Sequence, residues 1–197
     1  MKRSLITLIC ILCTLSILLC GCSNKEAPEG YHNAAGEHEA FYFYVPTTWT
    51  LNNTGGTASA YYSSSDMSNV SMTCMVIEPG EMDTLETYKS VSISELEAVL
   101  PDFKIVETPA AEDTSAEGTG AADETGAAEE NKPVTIDGRE TISFEYECTL
   151  SGKTYRYMQV VTLKGDMFYL FTYTALAENY ESHLEDVSGI LENIKFK

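Results

Sequence analysis

The stretch from residue 141 to residue 175 constrains the fold more than any other. Ile142, Phe144, Tyr146 and Cys148 alternate with Ser143, Glu145, Glu147 and Thr149, so apolar side chains fall at every second position. That period belongs to a strand with one face buried. Ser151-Gly152 then turns the chain into TYRYMQVVTL, and Lys164-Gly165-Asp166 turns it again into MFYLFTYTA. Short glycine-containing turns between such runs predict a three-strand antiparallel meander. A sheet of that kind must cover its apolar face. The cover follows directly: Tyr180, Leu184, Val187, Leu191 and Ile194 recur at spacings of four, three, four and three. They form one stripe of an amphipathic helix, with Glu178, Glu181, Glu185 and Glu192 mostly outside it. His183, beside the stripe, is expected to be a solvated surface histidine.

Upstream, Phe41, Phe43 and Val45 alternate with Tyr42 and Tyr44, which predicts a strand. Pro46 can end it, because proline has no N–H for the ladder. Asn52-Asn53-Thr54-Gly55-Gly56 reads as a turn and Ala60-Tyr61-Tyr62-Ser63 as a second strand. Residues 69–78, NVSMTCMVIE, are apolar on both alternating sets, as in a strand buried on both faces. After Pro79-Gly80, Asp83 and Glu86 have capping-box spacing, and Leu85, Tyr88, Ser92, Leu96 and Val99 fall near one helical face. Pro101 closes that helix, and Phe103 to Glu107 reads as a short strand.

Residues 109–132 break this order. They hold seven acidic side chains, one lysine, and no aromatic or branched aliphatic residue. Such a segment cannot bury enough apolar surface to offset its ordering entropy, so it is expected to be disordered. The flanking pieces, 40–108 and 133–197, would each be a marginal core alone. The expectation is therefore one domain over residues 40–197 with an acidic insertion at about 109–132, a loop extension that costs little extra entropy.

The N-terminus reads as an address. Lys2 and Arg3 precede an apolar run from Leu5 to Leu19, too short for a comfortable membrane span. The boundary Leu19-Cys20-Gly21-Cys22 resembles a bacterial lipobox, in which the last cysteine receives a diacylglycerol and becomes the mature N-terminus. Residues 1–21 would then be a lipoprotein signal peptide, Cys22 the lipidation site, and residues 22–39 a flexible tether. Each buried acyl methylene adds about 0.8 kcal/mol, so palmitate-length chains would anchor the protein stably. An uncleaved anchor helix is the competing reading. Removing residues 1–21 leaves ten basic against 30 acidic side chains, a charge of −20. That balance repels nucleic acid and anionic headgroups.

A further pattern emerges from these pieces. An aromatic strand ending in Val45-Pro46-Thr47-Thr48-Trp49 is followed by a capped helix. Gly138-Arg139-Glu140-Thr141-Ile142-Ser143-Phe144-Glu145-Tyr146 opens the meander, and the last helix runs into Ile194-Lys195-Phe196. With the lipoprotein signal, this resembles the PsbP-type proteins, in particular PsbP-like bacterial lipoproteins. The resemblance implies an α+β fold, an antiparallel β-sheet flanked by helices in an α/β/α sandwich, over residues 40–197 outside the acidic insertion. The photosynthetic members help retain inorganic ions at a manganese cluster, and no motif here carries that role over.

Chemistry-bearing residues are few. Trp49 is either a ligand platform or a core plug, and the plug is the ordinary role. Tyr42, Tyr44, Tyr61 and Tyr62 are candidates for a partner surface. His32 and His38, beside Glu37 and Glu39, are weak metal candidates, because a tether offers no second shell. Cys10, Cys13 and Cys20 leave with the signal, so Cys74 and Cys148 are the pair that export would allow to form a disulfide, against the reading of two free thiols. No G-x-S-x-G elbow, H-E-x-x-H pair or phosphate-cradling glycine loop is present. The expectation is a monomeric, non-catalytic extracytoplasmic lipoprotein without a cofactor. It would be held to the lipid bilayer of the cell membrane by acylated Cys22 and act as an accessory module for an envelope protein. The alternatives are a small-ligand or cation-binding lipoprotein and, less favoured, a hydrolase using paired carboxylates.

Overall fold

A computed structural model describes residues 26–52, 57–77, 82–106 and 134–197. The lipobox, the Asn53–Gly56 part of the first turn and the acidic insertion lie outside the described residues. The elements are β1 (Tyr31–Asn33), β2 (Phe41–Tyr42), β3 (Tyr44–Pro46), β4 (Thr50–Leu51), β5 (Ala58–Tyr61) and β6 (Asn69–Val76). Helix α1 (Leu85–Val99) and β7 (Lys104–Val106) follow. Then come β8 (Thr141–Leu150), β9 (Lys153–Lys164), β10 (Met167–Leu176), a 3-10 turn (Tyr180–His183), α2 (Leu184–Asn193) and β11 (Lys195–Phe196).

The meander forms as its period dictates. β8 pairs with β9 and β9 with β10, all antiparallel, through hairpins in which Ser151 (φ 52°) and Gly152 (φ 75°) both take left-handed backbone. Two positive φ values in succession are what a tight hairpin matched to strand twist requires. The seven-stranded sheet runs β4-β5-β6-β10-β9-β8-β7. β6 therefore pairs with β10 and β7 with β8, so strands from before and after residues 107–133 share one sheet.

Each face has its own core. Val187, Ile190 and Leu191 of α2, with Ile194 at its C-cap, pack with Val160, Phe171, Tyr173 and Ala175 on one side. Leu85 and Tyr88 of α1 pack with Phe144, Tyr146, Val161 and Phe168 on the other. Burying a side chain of this size contributes roughly 1.5–3 kcal/mol. The result is an antiparallel sheet between helices, as the sequence implied.

Four expectations change. The aromatic strand is two short strands with different partners: β2 pairs with β11 and β3 with β1. Ordered structure also begins before residue 40, because Tyr31–Asn33 of the expected tether pair with β3, and the Asn33 side chain bonds Ala35 and Phe43. β6 buries only Val70 and Met72, both on the α2 face, while Cys74 and Val76, farther along that same face, are exposed, Val76 by 64%. Finally, the α1 cap is Thr84 rather than Asp83. Its hydroxyl accepts from the Thr87 N–H at 3.1 Å, and the Thr87 hydroxyl accepts from the Thr84 N–H at 3.0 Å.

Candidate functional site

The most developed surface feature is the turn from Tyr62 to Ser68, joining β5 to β6. Its backbone is closed by the Tyr62 N–H donating to Ser68 O at 2.9 Å and the Met67 N–H to Ser63 O at 3.2 Å. The Ser63 hydroxyl accepts from the Asp66 N–H, and the Asp66 carboxylate from the Ser68 N–H. Asn179 reaches over from the segment before the 3-10 turn and donates its amide to Asp66 O at 3.1 Å. These local bonds fix a loop that carries Met67 at φ 69°.

The loop presents Tyr62 and Met67, 40% and 39% exposed, next to Tyr61 at the end of β5. Beneath Tyr62 lies a packed aromatic base. The Tyr62 ring sits 4.3 Å from His183 and 5.9 Å from Trp49, and Trp49 meets His183 edge-on at 5.6 Å. Trp49 is buried and its indole N–H donates to Asp186 Oδ2 of α2 at 2.8 Å. Trp49 is thus a core plug that backs an exposed tyrosine. His183 is buried, which corrects the expectation of a solvated histidine: the 3-10 turn before α2 rotates it inward against Tyr62 and Trp49.

His183 Nε2 lies 3.3 Å from Asp66 Oδ1, in contact but without aligned hydrogen-bond geometry. Burial by itself would raise the Asp66 carboxyl, but the contacts from Ser68 and His183 outweigh it and hold the group below its ordinary value.

The other predicted residues divide clearly. Tyr44 is buried, and it stacks on half-buried Tyr42 at 5.7 Å with ring planes 5° apart, so both serve packing more than display. Of the four aromatics, Tyr61 and Tyr62 are the exposed pair. His32 lies half-buried in β1 and His38 is exposed in the following loop. Among the described residues, no three His, Cys, Asp or Glu side chains converge in a way that could hold a metal ion. Cys74 is exposed and Cys148 buried, both as free thiols. Two strands separate them and their side chains face opposite sides of the sheet. A bridge needs Cα atoms within about 7 Å, and strands three places apart lie roughly 14 Å apart, so the disulfide reading fails on geometry. Cys22 lies outside the described residues.

The sequence profile of the family described as PsbP-like protein matches residues 25–196. The chain belongs to the PsbP-like family. No curated protein sequence matches it. Among solved structures, this PsbP-like chain is similar to cyanobacterial PsbP from Synechocystis sp. PCC 6803, with 11% identity over 91% of this chain and 99% of that one, at a TM-score of 0.52. It is also similar to LpqN of Mycobacterium tuberculosis, described as involved in cell envelope biogenesis, with 15% identity over 80% and 83% at a TM-score of 0.47. The Ran-binding protein Mog1p of Saccharomyces cerevisiae matches at 10% identity over 82% and 90%, with a TM-score of 0.47. At such identities the likeness is one of fold, and function must be argued from the site.

Sequence reasoning missed the Asp66–His183–Trp49–Asp186 base of this PsbP-like domain, which joins positions 137 residues apart in its Trp49–Asp186 bond. The available signal was a lone tryptophan and a histidine on the rim of an apolar stripe. Only the packing of α2 against the β3–β4 turn brings them together. Among the described residues, no helix is long and apolar enough to cross a membrane.

Proposed function

We propose that this chain is an extracytoplasmic lipoprotein, anchored to the cell membrane through acylated Cys22, whose PsbP-like domain docks an envelope protein as a non-catalytic accessory module. The observation that supports it is the Tyr62–Ser68 loop. Exposed Tyr62 stands on a buried Trp49–His183 base, so it loses little conformational freedom when a partner covers it, and exposed Tyr61 and Met67 are its near neighbours in the chain. Tyrosine and methionine are favoured interface residues, and anchors with rigid support dominate binding energy. A cleft of about 550 Å³ beside α1, lined by Tyr88, Ser92, Glu95, Leu96, Ala98, Val99 and Gln159, supports a second role, small-ligand binding.

A photo-crosslinking residue at position 62, in the anchored protein within its native envelope, tests the docking role. One discrete adduct with an envelope protein is expected from position 62, and none from position 153 at the far hairpin. Adducts of equal yield from both positions, or none from either, would contradict docking through this loop.

A further inference from the structure

The Tyr62–Ser68 loop stands beside a run of acids. Residues 178–186, ENYESHLED, hold four carboxylates and no lysine or arginine. Glu178, Glu181 and Glu185 are exposed and Asp186 is half-buried. Three contacts join this run to the loop. Asn179 donates to Asp66 O at 3.1 Å, His183 Nε2 lies 3.3 Å from Asp66 Oδ1, and the His183 ring lies 4.3 Å from that of Tyr62. The Tyr62 ring is therefore held among carboxylates while the residue stays 40% exposed.

The field there is negative. Burial first, and then Asp66, Glu181 and Asp186, push the Tyr173 hydroxyl up to about 12, against a lowering contact from Ser68. Burial and the charges of Asp186, Glu192 and Glu185 likewise raise Tyr31. Among the described residues, Arg156 is the only lysine or arginine that forms an ion pair with the run. Its Nε and Nη2 donate to Glu145 Oε2 at 3.0 and 2.7 Å, and its Nη1 donates to Glu181 Oε1 at 3.1 Å. The same guanidinium lies 4.3 Å over the Tyr180 ring.

That cluster shows what the neighbouring surface lacks. Inside the fold, a tyrosine face and two carboxylates hold one guanidinium, through ring attraction and charge-assisted hydrogen bonds. Tyr62 repeats the tyrosine face, and Glu178 and Glu185 repeat the carboxylates. Among the described residues, however, no cation stands over Tyr62 or forms an ion pair with either glutamate. We propose that this surface receives an arginine-bearing segment of the docked protein, with a guanidinium over the Tyr62 ring and paired by Glu178 and Glu185. Arginine fits better than lysine, because its planar cation both stacks on a ring and forks toward carboxylates. The net charge of −18 speeds encounter with any cation, so selectivity comes from the ring and the two glutamates.

This surface chemistry rests on the docking reading and deepens it by naming what the partner carries, yet the two fail separately. A fluorescent, capped peptide of alternating glycine and arginine is titrated with the full-length chain in mild detergent at physiological salt, beside its lysine and glutamate versions. Anisotropy is expected to rank the peptides arginine, then lysine, then glutamate. Glu178→Gln with Glu185→Gln should weaken the arginine peptide about fivefold. Glu95→Gln with Glu97→Gln, an equal change of charge at exposed positions of α1 across the sheet, should leave it unchanged. Tyr62→Leu should weaken it roughly threefold and Tyr62→Phe should not, since phenylalanine keeps the ring face. If Tyr62→Leu does not fold, the two glutamate pairs decide. No binding of the arginine peptide, equal affinity for the arginine and lysine peptides, equal loss from the two glutamate pairs, or undiminished binding by folded Tyr62→Leu would overturn the assignment. Each of these would leave the cross-link from position 62 untouched.

Discussion

Gly189 sits within α2, where a Cβ would collide with the Tyr31 hydroxyl. Alanine in place of glycine inside a helix ordinarily gains up to about 1 kcal/mol. Here overpacking, at roughly 1–3 kcal/mol, should outweigh that gain. Gly189→Ala is therefore expected to lower the urea midpoint. In a Tyr31→Phe background, which removes the hydroxyl, the same change should raise it. A stabilising Gly189→Ala in the parent would show that β1 does not rest on α2. Asp66 gives a second test. Its carboxyl is held below 3.8, so its contribution is complete above that value and is lost as the pH falls through the lower folded value. Thermal midpoints should place Asp66→Asn below the parent at neutral pH, with the gap closing as the pH drops under 3.8. A gap that persists in strong acid would mean that Asp66 acts through shape alone. Neither contact was legible in the sequence, because Tyr31 lay in a segment without periodicity, and a left-over histidine carries no sign of the acid it will meet.

Helix α1 opens on reciprocal bonds between Thr84 and Thr87. Thr84→Ala should cost about 1 kcal/mol, whereas Asp83→Ala, at the cap position read from the sequence, should change stability little. Chemical denaturation of the two variants decides between the caps, and the opposite ranking would return the cap to Asp83. Elements whose partners are near in sequence were the legible ones. β8, β9 and β10 follow from alternation and two short turns, and α2 from one apolar stripe that buries Val187, Leu191 and Ile194. β2 was legible as a strand but not as one half of a pair with β11, since Phe41 meets Phe196 from the other end of the chain. β6 misled for a related reason. Apolar residues on both alternating sets read as two buried faces, yet α1 lies over the other half of the sheet on the Met75 face, and on the α2 face burial stops at Met72.

At the scale of the whole molecule, one sheet collects strands from both sides of the acidic segment, with separate cores under α1 and α2. The PsbP-like membership, with the profile match running from residue 25 to residue 196, agrees with ordered structure that begins well before the aromatic strand. Of the candidate site, the sequence supplied Tyr61 and Tyr62 but not the base beneath Tyr62, and nothing in it distinguished those two from Tyr42 and Tyr44. Exposure separates them, and exposure is set by which faces the rest of the fold covers. The central claim is that this domain works at a membrane surface, held there by its first mature residue. Mass spectrometry of the N-terminal peptide from protein purified out of its native envelope tests it most directly. A peptide beginning at Cys22 and carrying the mass of a diacylglycerol thioether is the expected result. A peptide that begins upstream of Cys22, or one with an unmodified Cys22 thiol, would contradict it.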